Sequence, residues 1–127
     1  MSVEDVREPT LLLLSALAAG PQHGYALMGA VADLSAGRVR LKPGSLYATL
    51  DRLQREGLVS ESGTEVVAGR HRRYYELTDA GTEALAAQVD RLERLAATAS
   101  EALRRRSGVR VRAFVAPVAG ELEGGLL

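Results

Sequence analysis

The basic side chains of this sequence are concentrated in its middle third, although the whole chain has 16 basic and 16 acidic residues and no net charge. Residues 38–73 hold eight bases and four acids, whereas residues 1–37 hold one base and four acids. Guanidinium and ammonium groups bind phosphate through charge and directed hydrogen bonds. A basic segment within a neutral chain is therefore typical of a surface that contacts nucleic acid. The alternative is a solvated face on which arginines happen to cluster.

Two short segments hold the side chains that could contact a duplex. In the first, short polar residues and a tyrosine follow Pro43-Gly44, where the N–H groups of a helix start suit a phosphate. Such side chains can hydrogen-bond phosphates or base edges. In the second, three arginines and a histidine form a row, which is typical of phosphate or minor-groove contact. The candidate DNA-binding residues are Lys42, Ser45, Tyr47, Ala48, Thr49, Arg52, Arg70, His71, Arg72 and Arg73.

The sequence offers little for catalysis. It has no cysteine, its two histidines lie on different predicted elements, and no glycine-rich phosphate loop follows a strand. Asp79 and Glu83 lie one helical turn apart, which fits a solvated pair better than a catalytic one. We therefore predict a protein that is not an enzyme and that needs no cofactor and no metal.

Three predicted helices precede a hairpin in the N-terminal part of the chain. Pro9 can begin the first helix, which contains four consecutive leucines and ends before Gly20-Pro21. The leucines could also form a buried strand, but the neighbouring alanines and the two end signals favour a helix. A second helix covers residues 23–35. A third covers residues 43–56, and its apolar residues repeat at helical spacing.

The hairpin, or wing, follows the third helix. Leu58-Val59 begins a short strand, a loop rich in Gly, Ser and Thr comes next, and a second strand covers residues 72–77 with Tyr74 and Tyr75. Three helices and a two-stranded wing predict a mainly α winged helix-turn-helix fold of the α+β type. In that fold the third helix lies in the major groove and the wing touches the adjacent backbone.

The last predicted helix begins after Thr78, a good N-cap, and ends near Arg106. Its apolar residues recur at alternating steps of four and three, which is the spacing of a heptad seam. At ~1.5 Å per residue the helix is roughly 40 Å long, too long for so small a core to cover. We predict that the seam packs on a second copy to form a homodimer, the alternative being that it folds back on its own domain. The predicted dimer-interface residues are Leu85, Val89, Leu92, Ala96, Ala99 and Leu103.

These elements divide the chain into three predicted parts. Residues 1–77 form the DNA-binding domain, residues 78–106 the dimerisation helix, and residues 107–127 a flexible tail in which alternating residues could also form a strand. No stretch reaches the roughly 18 apolar residues of a membrane span, and the chain does not begin with a basic and then apolar secretory signal. We predict a cytoplasmic protein with no membrane partner.

Several motifs, in this order and spacing, resemble the PadR family of transcriptional regulators. The resemblance covers roughly residues 9–100 and implies a dimer formed largely through the C-terminal helix, with the first helix helping. It also implies repression at inverted-repeat operators, often under the control of a small molecule. The motifs are His-Gly-Tyr-Ala-Leu at 23–27, Pro-Gly-Ser-Leu-Tyr at 43–47, Leu-Asp-Arg-Leu at 50–53, Gly-Leu-Val at 57–59, Gly-Arg at 69–70 and Arg-Tyr-Tyr-Glu-Leu-Thr at 73–78, followed by Gly81.

Carried over by position, the resemblance gives roles to individual residues. It makes Ser45, Tyr47 and Thr49 groove contacts, and it makes the arginines at 70 and 73 wing contacts. It further implies that Tyr25 packs the second helix against the third and that Gly24 permits a close approach. The family often has proline where this chain has Ala48, which alters the local helix start. The chain has no tryptophan and a single phenylalanine, Phe114, which argues against an aromatic-stacking effector pocket.

A winged helix that binds protein instead of DNA is the main alternative. Such a domain keeps the fold but uses its third helix or its wing on a protein surface. The arginines at 70–73, together with Lys42, suit phosphate better than protein. Double-stranded DNA is therefore the predicted partner, a second copy of the chain is the predicted subunit, and a small-molecule effector is left open.

Overall fold

The structure, a computed structural model, describes residues 6–106, 108 and 110–111. The chain divides into two compact units, Met1–Leu92 and Glu93–Leu127. The tail predicted over residues 107–127, and the strand considered within it, lie outside the described residues apart from 108, 110 and 111.

Four α-helices confirm the helical part of the predicted fold. A proline lies in the first turn of both α1 and α3, where its missing N–H costs no hydrogen bond and its fixed φ suits the helix. The four leucines of the first helix are helical, which decides against the buried strand. The helices are α1 (Glu8–Leu17), α2 (Gly24–Leu34), α3 (Pro43–Arg55) and α4 (Asp79–Arg104).

The strands form an antiparallel sheet of three strands, β1 (Gln22–His23), β2 (Val59–Val67) and β3 (Arg70–Leu77), in the order β1-β3-β2. The wing is the hairpin of β2 and β3. The predicted two-stranded wing is confirmed. A third strand that was not predicted, β1, pairs with β3 through Gln22 opposite Tyr75 and His23 opposite Tyr74.

The segment predicted as a loop after Val59 is also a strand. β2 continues to Val67, with a bulge between Glu61 and Gly63, because its backbone pairs with β3 along its whole length. The two strands are joined at Ala68 and Gly69, which both have positive φ, 52° and 77°. Cross-strand pairing thus overrides the weak strand propensity of this Gly- and Ser-containing segment.

A core of aliphatic side chains lies between the first three helices and the base of the wing. The predicted buried stripe of α3 is confirmed, since Leu46, Leu50 and Leu53 are all buried. This stripe fixes the rotation of α3 about its axis and so decides which of its residues face outward. The buried apolar residues are Leu13, Leu14, Ala16, Leu17, Leu27, Val31, Leu46, Leu50, Leu53, Leu58, Val59 and Tyr75.

Thr78 and Gly81 fix the start of α4 against the end of α3. The Thr78 hydroxyl accepts a hydrogen bond from the Gly81 N–H (3.0 Å) and donates one to the Gly57 carbonyl (2.6 Å). The first of these bonds is the predicted N-cap. A Cβ atom at Gly81 would overlap the carbonyl oxygen of Leu58, so the helix start approaches the backbone more closely than any side chain permits.

A surface ion pair connects α1 to the loop after α2. Arg38 Nη2 donates to Glu8 Oε1, and this hydrogen bond lowers the pKa of the Glu8 carboxyl.

Among the described residues, no helix has the length and apolar character needed to cross a membrane.

Candidate nucleic-acid interface

The outward face of α3 follows from the buried leucine stripe. Ser45, Ala48, Asp51 and Arg55 are exposed on this helix. Lys42 precedes the helix in extended backbone conformation, without a side-chain cap, and its carbonyl accepts the first hydrogen bond from Leu46 N (2.9 Å). The N–H groups of the first turn are therefore open to an anion, and Lys42 is exposed beside them.

Ser45 and Thr49 lie one turn apart on α3. The Thr49 hydroxyl donates to the Ser45 carbonyl (2.8 Å), so its hydrogen is engaged within the helix while its oxygen can still accept. Thr49 is half-buried, whereas Ser45 is exposed. Of the two hydroxyl groups, that of Ser45 is the more accessible to a ligand.

Arg52 links α3 to α1. Its Nη2 donates to Thr10 Oγ1 (3.1 Å), and its Nη1 lies 3.7 Å from Glu56 Oε1. In the free protein this guanidinium holds α3 against the first helix. A DNA contact by Arg52, as predicted from the sequence, would require the loss of its contacts with Thr10 and Glu56.

Tyr47 packs where α3 passes the start of α2. A Cβ atom at Gly24 would lie 2.9 Å from Tyr47 Cζ and still closer to its hydroxyl oxygen, so the glycine does permit the close approach that the resemblance implied. The Tyr47 side chain remains 49% exposed. Tyr25 does not pack α2 against α3 as expected. It is 78% exposed, because it precedes the buried Leu27 by two positions and so points away from the core.

Basic side chains on β3 form the second part of the interface. Arg70, His71 and Arg73 are exposed, and Arg72 is half-buried. Two of the arginines have carboxylate partners on β2: Arg72 Nη1 lies 3.9 Å from Glu65 Oε1, and Arg73 Nη1 lies 3.6 Å from Glu61 Oε1. The row of bases seen in the sequence is therefore partly neutralised by acids from the neighbouring strand.

Aromatic residues fix the base of the wing. The rings of His23 and Tyr74 meet edge to face with centroids 5.5 Å apart, and His23 Nδ1 accepts from Ala26 N (3.2 Å) to cap α2. Tyr75 is buried, and this burial raises the pKa of its hydroxyl. The hydrogen bond that Tyr74 donates to Glu65 raises the pKa of Tyr74.

A cleft of about 1160 Å³ separates α3 from the wing. One wall carries Tyr47, Ala48 and Asp51 of α3, and the other carries the basic residues 70–73 of β3. The structure thus brings together six of the ten candidate DNA-binding residues around one open cleft. Lys42, Ser45, Thr49 and Arg52 are not part of its lining.

Eight residues of the lining were not among the sequence candidates, namely His23, Gly24, Tyr25, Asp51, Gln54, Val67, Ala68 and Tyr75. Asp51 and Gln54 come from α3, and Tyr25 comes from the start of α2. The leucine stripe could have indicated Asp51, because it lies far from the stripe on the helix. No sequence signal places Tyr25 beside the wing, since β1 brings it there by pairing with β3.

The predicted dimer seam follows α4. Leu85 is half-buried and packs against the core of its own chain. Further along, Val89 is 45% exposed, Leu92 40% and Leu103 42%, and Ala96 and Ala99 are also exposed. Leu95, which the seam did not include, is another exposed apolar residue of this helix. Most of the predicted seam thus lacks an intrachain cover among the described residues.

Comparison with known proteins identifies relatives of this chain. The model of the Transcriptional regulator PadR-like family matches residues 13–87, more than half of the chain. An uncharacterized 37.1 kDa protein in transposon TN4556 of Streptomyces fradiae is 51% identical over 49 residues. That match covers 39% of this chain and 14% of the transposon protein, so the chain spans a small part of that relative.

Solved structures share the fold over most of their length. A candidate transcriptional regulator from Thermoplasma acidophilum is 26% identical with a TM-score of 0.60, covering 78% of this chain and 91% of that one. A PadR family transcriptional regulator from Eggerthella lenta is 24% identical, with a TM-score of 0.64 and coverage of 78% and 87%. A PadR-like transcriptional regulator from Bacillus cereus is 24% identical, with a TM-score of 0.62 and coverage of 76% and 92%.

Proposed function

The chain belongs to the PadR-like family of transcriptional regulators, and we propose that it is a sequence-specific repressor that binds an inverted-repeat operator as a homodimer in the cytoplasm. The observation that carries the proposal is the cleft between α3 and the wing. Its two walls present an outward helix face and a row of basic side chains. These are the two surfaces that a winged helix applies to a major groove and to the neighbouring backbone.

The proposed role of each residue in DNA binding follows from its position in α3 or in the wing. Ser45, Tyr47, Ala48 and Thr49 meet base edges, because they lie in the N-terminal half of α3. Lys42 and the first-turn N–H groups bind a phosphate beside the groove. The wing residues 70–73 bind the backbone of the flanking turn. Arg52 contributes mainly by holding α3 on α1 through Thr10.

The homodimer rests on the exposed apolar side chains of α4. Covering Val89, Leu92 and Leu103 removes apolar area from water, and each fully buried aliphatic side chain contributes roughly 1.5–3 kcal/mol. We propose that residues 78–106 supply this contact and residues 1–77 the DNA-binding domain, with residues 107–127 as an appended tail. We also propose that a small-molecule effector controls the protein by shifting the dimer between two arrangements.

Selection from random duplexes tests the proposal. The purified chain is mixed with a pool of random duplexes at physiological salt, retained DNA is sequenced, and affinities are measured by fluorescence anisotropy. We expect an inverted repeat whose half-site centres lie about one helical turn, or a multiple of it, apart.

A pair of variants provides the control. Ala48→Glu places a carboxylate on the outward face of α3 and should abolish selection by repelling phosphates and blocking the groove. Ala87→Glu adds the same charge at an exposed position of α4 and should leave selection intact. A folded wild-type chain that retains no DNA but binds a purified partner protein would contradict the proposal and favour a protein-interaction winged helix.

A further inference from the structure

Two acidic residues of β2, Glu61 and Glu65, lie across the strand pair from the basic row of the wing, and the bulge between Glu61 and Gly63 separates them in the register. Glu65 lies directly opposite Arg72 in the strand register, and Glu61 lies opposite Tyr75, two residues from Arg73. The resulting ion pairs measure 3.9 Å for Arg72–Glu65 and 3.6 Å for Arg73–Glu61. Each of these arginines therefore meets one carboxylate in the free protein.

The two ion pairs lie on opposite faces of the wing. Arg72 and Arg73 are consecutive in β3, and successive side chains of a strand point to opposite faces. Near the tip the situation differs, because Arg70 and His71 lie opposite Val67 and Val66 in the register. Within the described part of the chain, no ion pair is formed by Arg70 or His71.

A second contact holds Glu65 in place. The Tyr74 hydroxyl donates to Glu65 Oε1 (2.5 Å), which is the same oxygen that faces Arg72. The hydrogen bond from Tyr74 restrains the carboxylate, and the ion pair with Arg72 at 3.9 Å adds a weaker attraction to the same oxygen. The Glu65 side chain is thus oriented by its neighbours on β3, although it is 48% exposed.

Carboxylates and phosphates compete for the same guanidinium groups. Both present oxygen pairs that accept from an arginine fork, so a phosphate must replace the carboxylate before the arginine contributes its full charge. The released carboxylate then lies close to phosphate charge and is repelled by it. Exposed ion pairs are individually weak, so a well-placed phosphate can replace them while a distant one cannot.

We propose that Glu61 and Glu65 are specificity-determining residues of the wing. They compete with DNA phosphates for Arg73 and Arg72, and so weaken binding to duplexes with which α3 makes no base contacts. This inference rests on the proposed DNA-binding function. On an operator, base contacts by α3 bring the flanking phosphates close enough to displace both carboxylates. On other sequences the carboxylates remain paired, and the wing contributes chiefly through Arg70.

The double variant Glu61→Gln with Glu65→Gln tests the competition. Glutamine keeps the size of the side chain and an oxygen that can still accept from Tyr74, so the wing should stay folded, as circular dichroism can verify. The control is Glu83→Gln with Glu93→Gln, which changes the net charge equally at exposed positions of α4. Binding to a random duplex of about 30 base pairs is followed by fluorescence anisotropy from about 50 to 200 mM salt.

We expect the wing variant to bind the random duplex roughly tenfold more tightly than wild type, with a steeper salt dependence, because two arginines become available to phosphates. The control variant should change the dissociation constant by less than about twofold, since its charges are removed outside the wing. On an operator recovered by selection, the wing variant should gain less than on the random duplex, so the ratio of the two affinities falls.

Two results would overturn the inference while leaving the proposed function intact. In one, wild type binds DNA and the wing variant binds with an unchanged dissociation constant. In the other, the variant tightens equally on operator and random duplex, so the carboxylates affect affinity without affecting specificity. Failure of the folded wild type, the wing variant and the control to bind any duplex would instead contradict DNA binding itself.

Discussion

The arginines of the wing differ in the ion pairs that they must break before they can bind a phosphate. Arg72 and Arg73 each face a carboxylate, whereas Arg70, at the tip, lies opposite Val67. An arginine that has no ion pair to break contributes its whole charge to counterion release when it binds DNA. The three arginines of the wing are therefore unequal, although the sequence presents them as one row.

We predict that Arg70→Ala weakens binding to a random duplex by roughly fivefold to tenfold and lowers the salt slope by about one. Arg72→Ala should weaken it by only roughly twofold, because on a random duplex Arg72 remains paired with Glu65 and contributes little of its charge to phosphate. Anisotropy titrations at several salt concentrations measure both quantities. Equal losses for the two variants would mean that the carboxylate pairing does not influence DNA binding.

Gly24 and Tyr47 form a second residue-level contact that can be tested. We predict that Gly24→Ala displaces the Tyr47 ring from its place beside α2, because the added methyl overlaps it. A half-exposed ring can move, so thermal unfolding should show a loss of less than about 1 kcal/mol, while operator affinity falls roughly tenfold. In a Tyr47→Ala background the glycine substitution should have no further effect on affinity. An additive loss would show that Gly24 acts by another route.

At the scale of elements, the close packing of α4 on the end of α3 depends on Gly81. We predict that Gly81→Ala destabilises the protein by about 3 kcal/mol, because the methyl would overlap the carbonyl oxygen of Leu58, a backbone atom that cannot move aside cheaply. Gly29→Ala is the matched control. It lies in α2 with open space around it and should stabilise the protein by about 0.5 kcal/mol. Urea unfolding of both variants measures the difference, and a neutral Gly81→Ala would mean that α4 can shift its start.

The ion pair between α1 and the loop after α2 gives a pH dependence. Because Arg38 lowers the pKa of Glu8 below its ordinary 4.5, ionised Glu8 stabilises the fold above that pH. This contribution is lost as the pH falls through the lowered pKa. We predict that Glu8→Gln lowers the Tm at neutral pH and has no effect near about pH 2. Glu93→Gln, at an exposed position of α4, serves as control, and a Tm difference that persists in acid would contradict this assignment.

The helices could be predicted from the sequence because their signals are local. Pro9 and Pro43 mark helix starts, and the leucine spacing of α3 determines its buried face. β1 could not be predicted, because its two residues become a strand only by pairing with Tyr74 and Tyr75 far along the chain. β2 was underestimated for the same reason, since its Gly- and Ser-containing segment is extended by cross-strand pairing alone.

In the candidate site, too, the sequence predicted the local features but not those that depend on tertiary packing. Residue types in α3 and β3 predicted which side chains could meet DNA, and the cleft brings six of them together. Their intramolecular partners depend on register and tertiary packing, which the sequence does not reveal. The pairing of Arg72 with Glu65 follows from strand register, and the contact of Arg52 with Thr10 follows from the packing of α3 on α1. The position of Tyr25 beside the wing likewise follows from the pairing of β1 with β3.

For the molecule as a whole, binding strength depends on how many α3 helices engage DNA at once. One winged helix presents one α3 and one wing. Two linked copies turn the second binding event into an intramolecular one, which raises affinity without any new type of contact. The exposed apolar residues of α4 are therefore central to the proposed operator recognition.

We predict that Leu92→Glu converts the proposed dimer into a monomer, because a carboxylate at this exposed apolar position would be buried without a partner in a helix pair. Ala87→Glu adds the same charge on the side of α4 opposite the seam and should leave the dimer intact. Sedimentation velocity measures the state of each variant, and circular dichroism checks that each is folded. The monomer should bind a full operator at least roughly a hundredfold more weakly, yet bind an isolated half-site almost as well as wild type. A dimer that survives Leu92→Glu would place the interface on another surface, and a wild-type monomer that still selects an inverted repeat would mean that the DNA itself brings the two copies together.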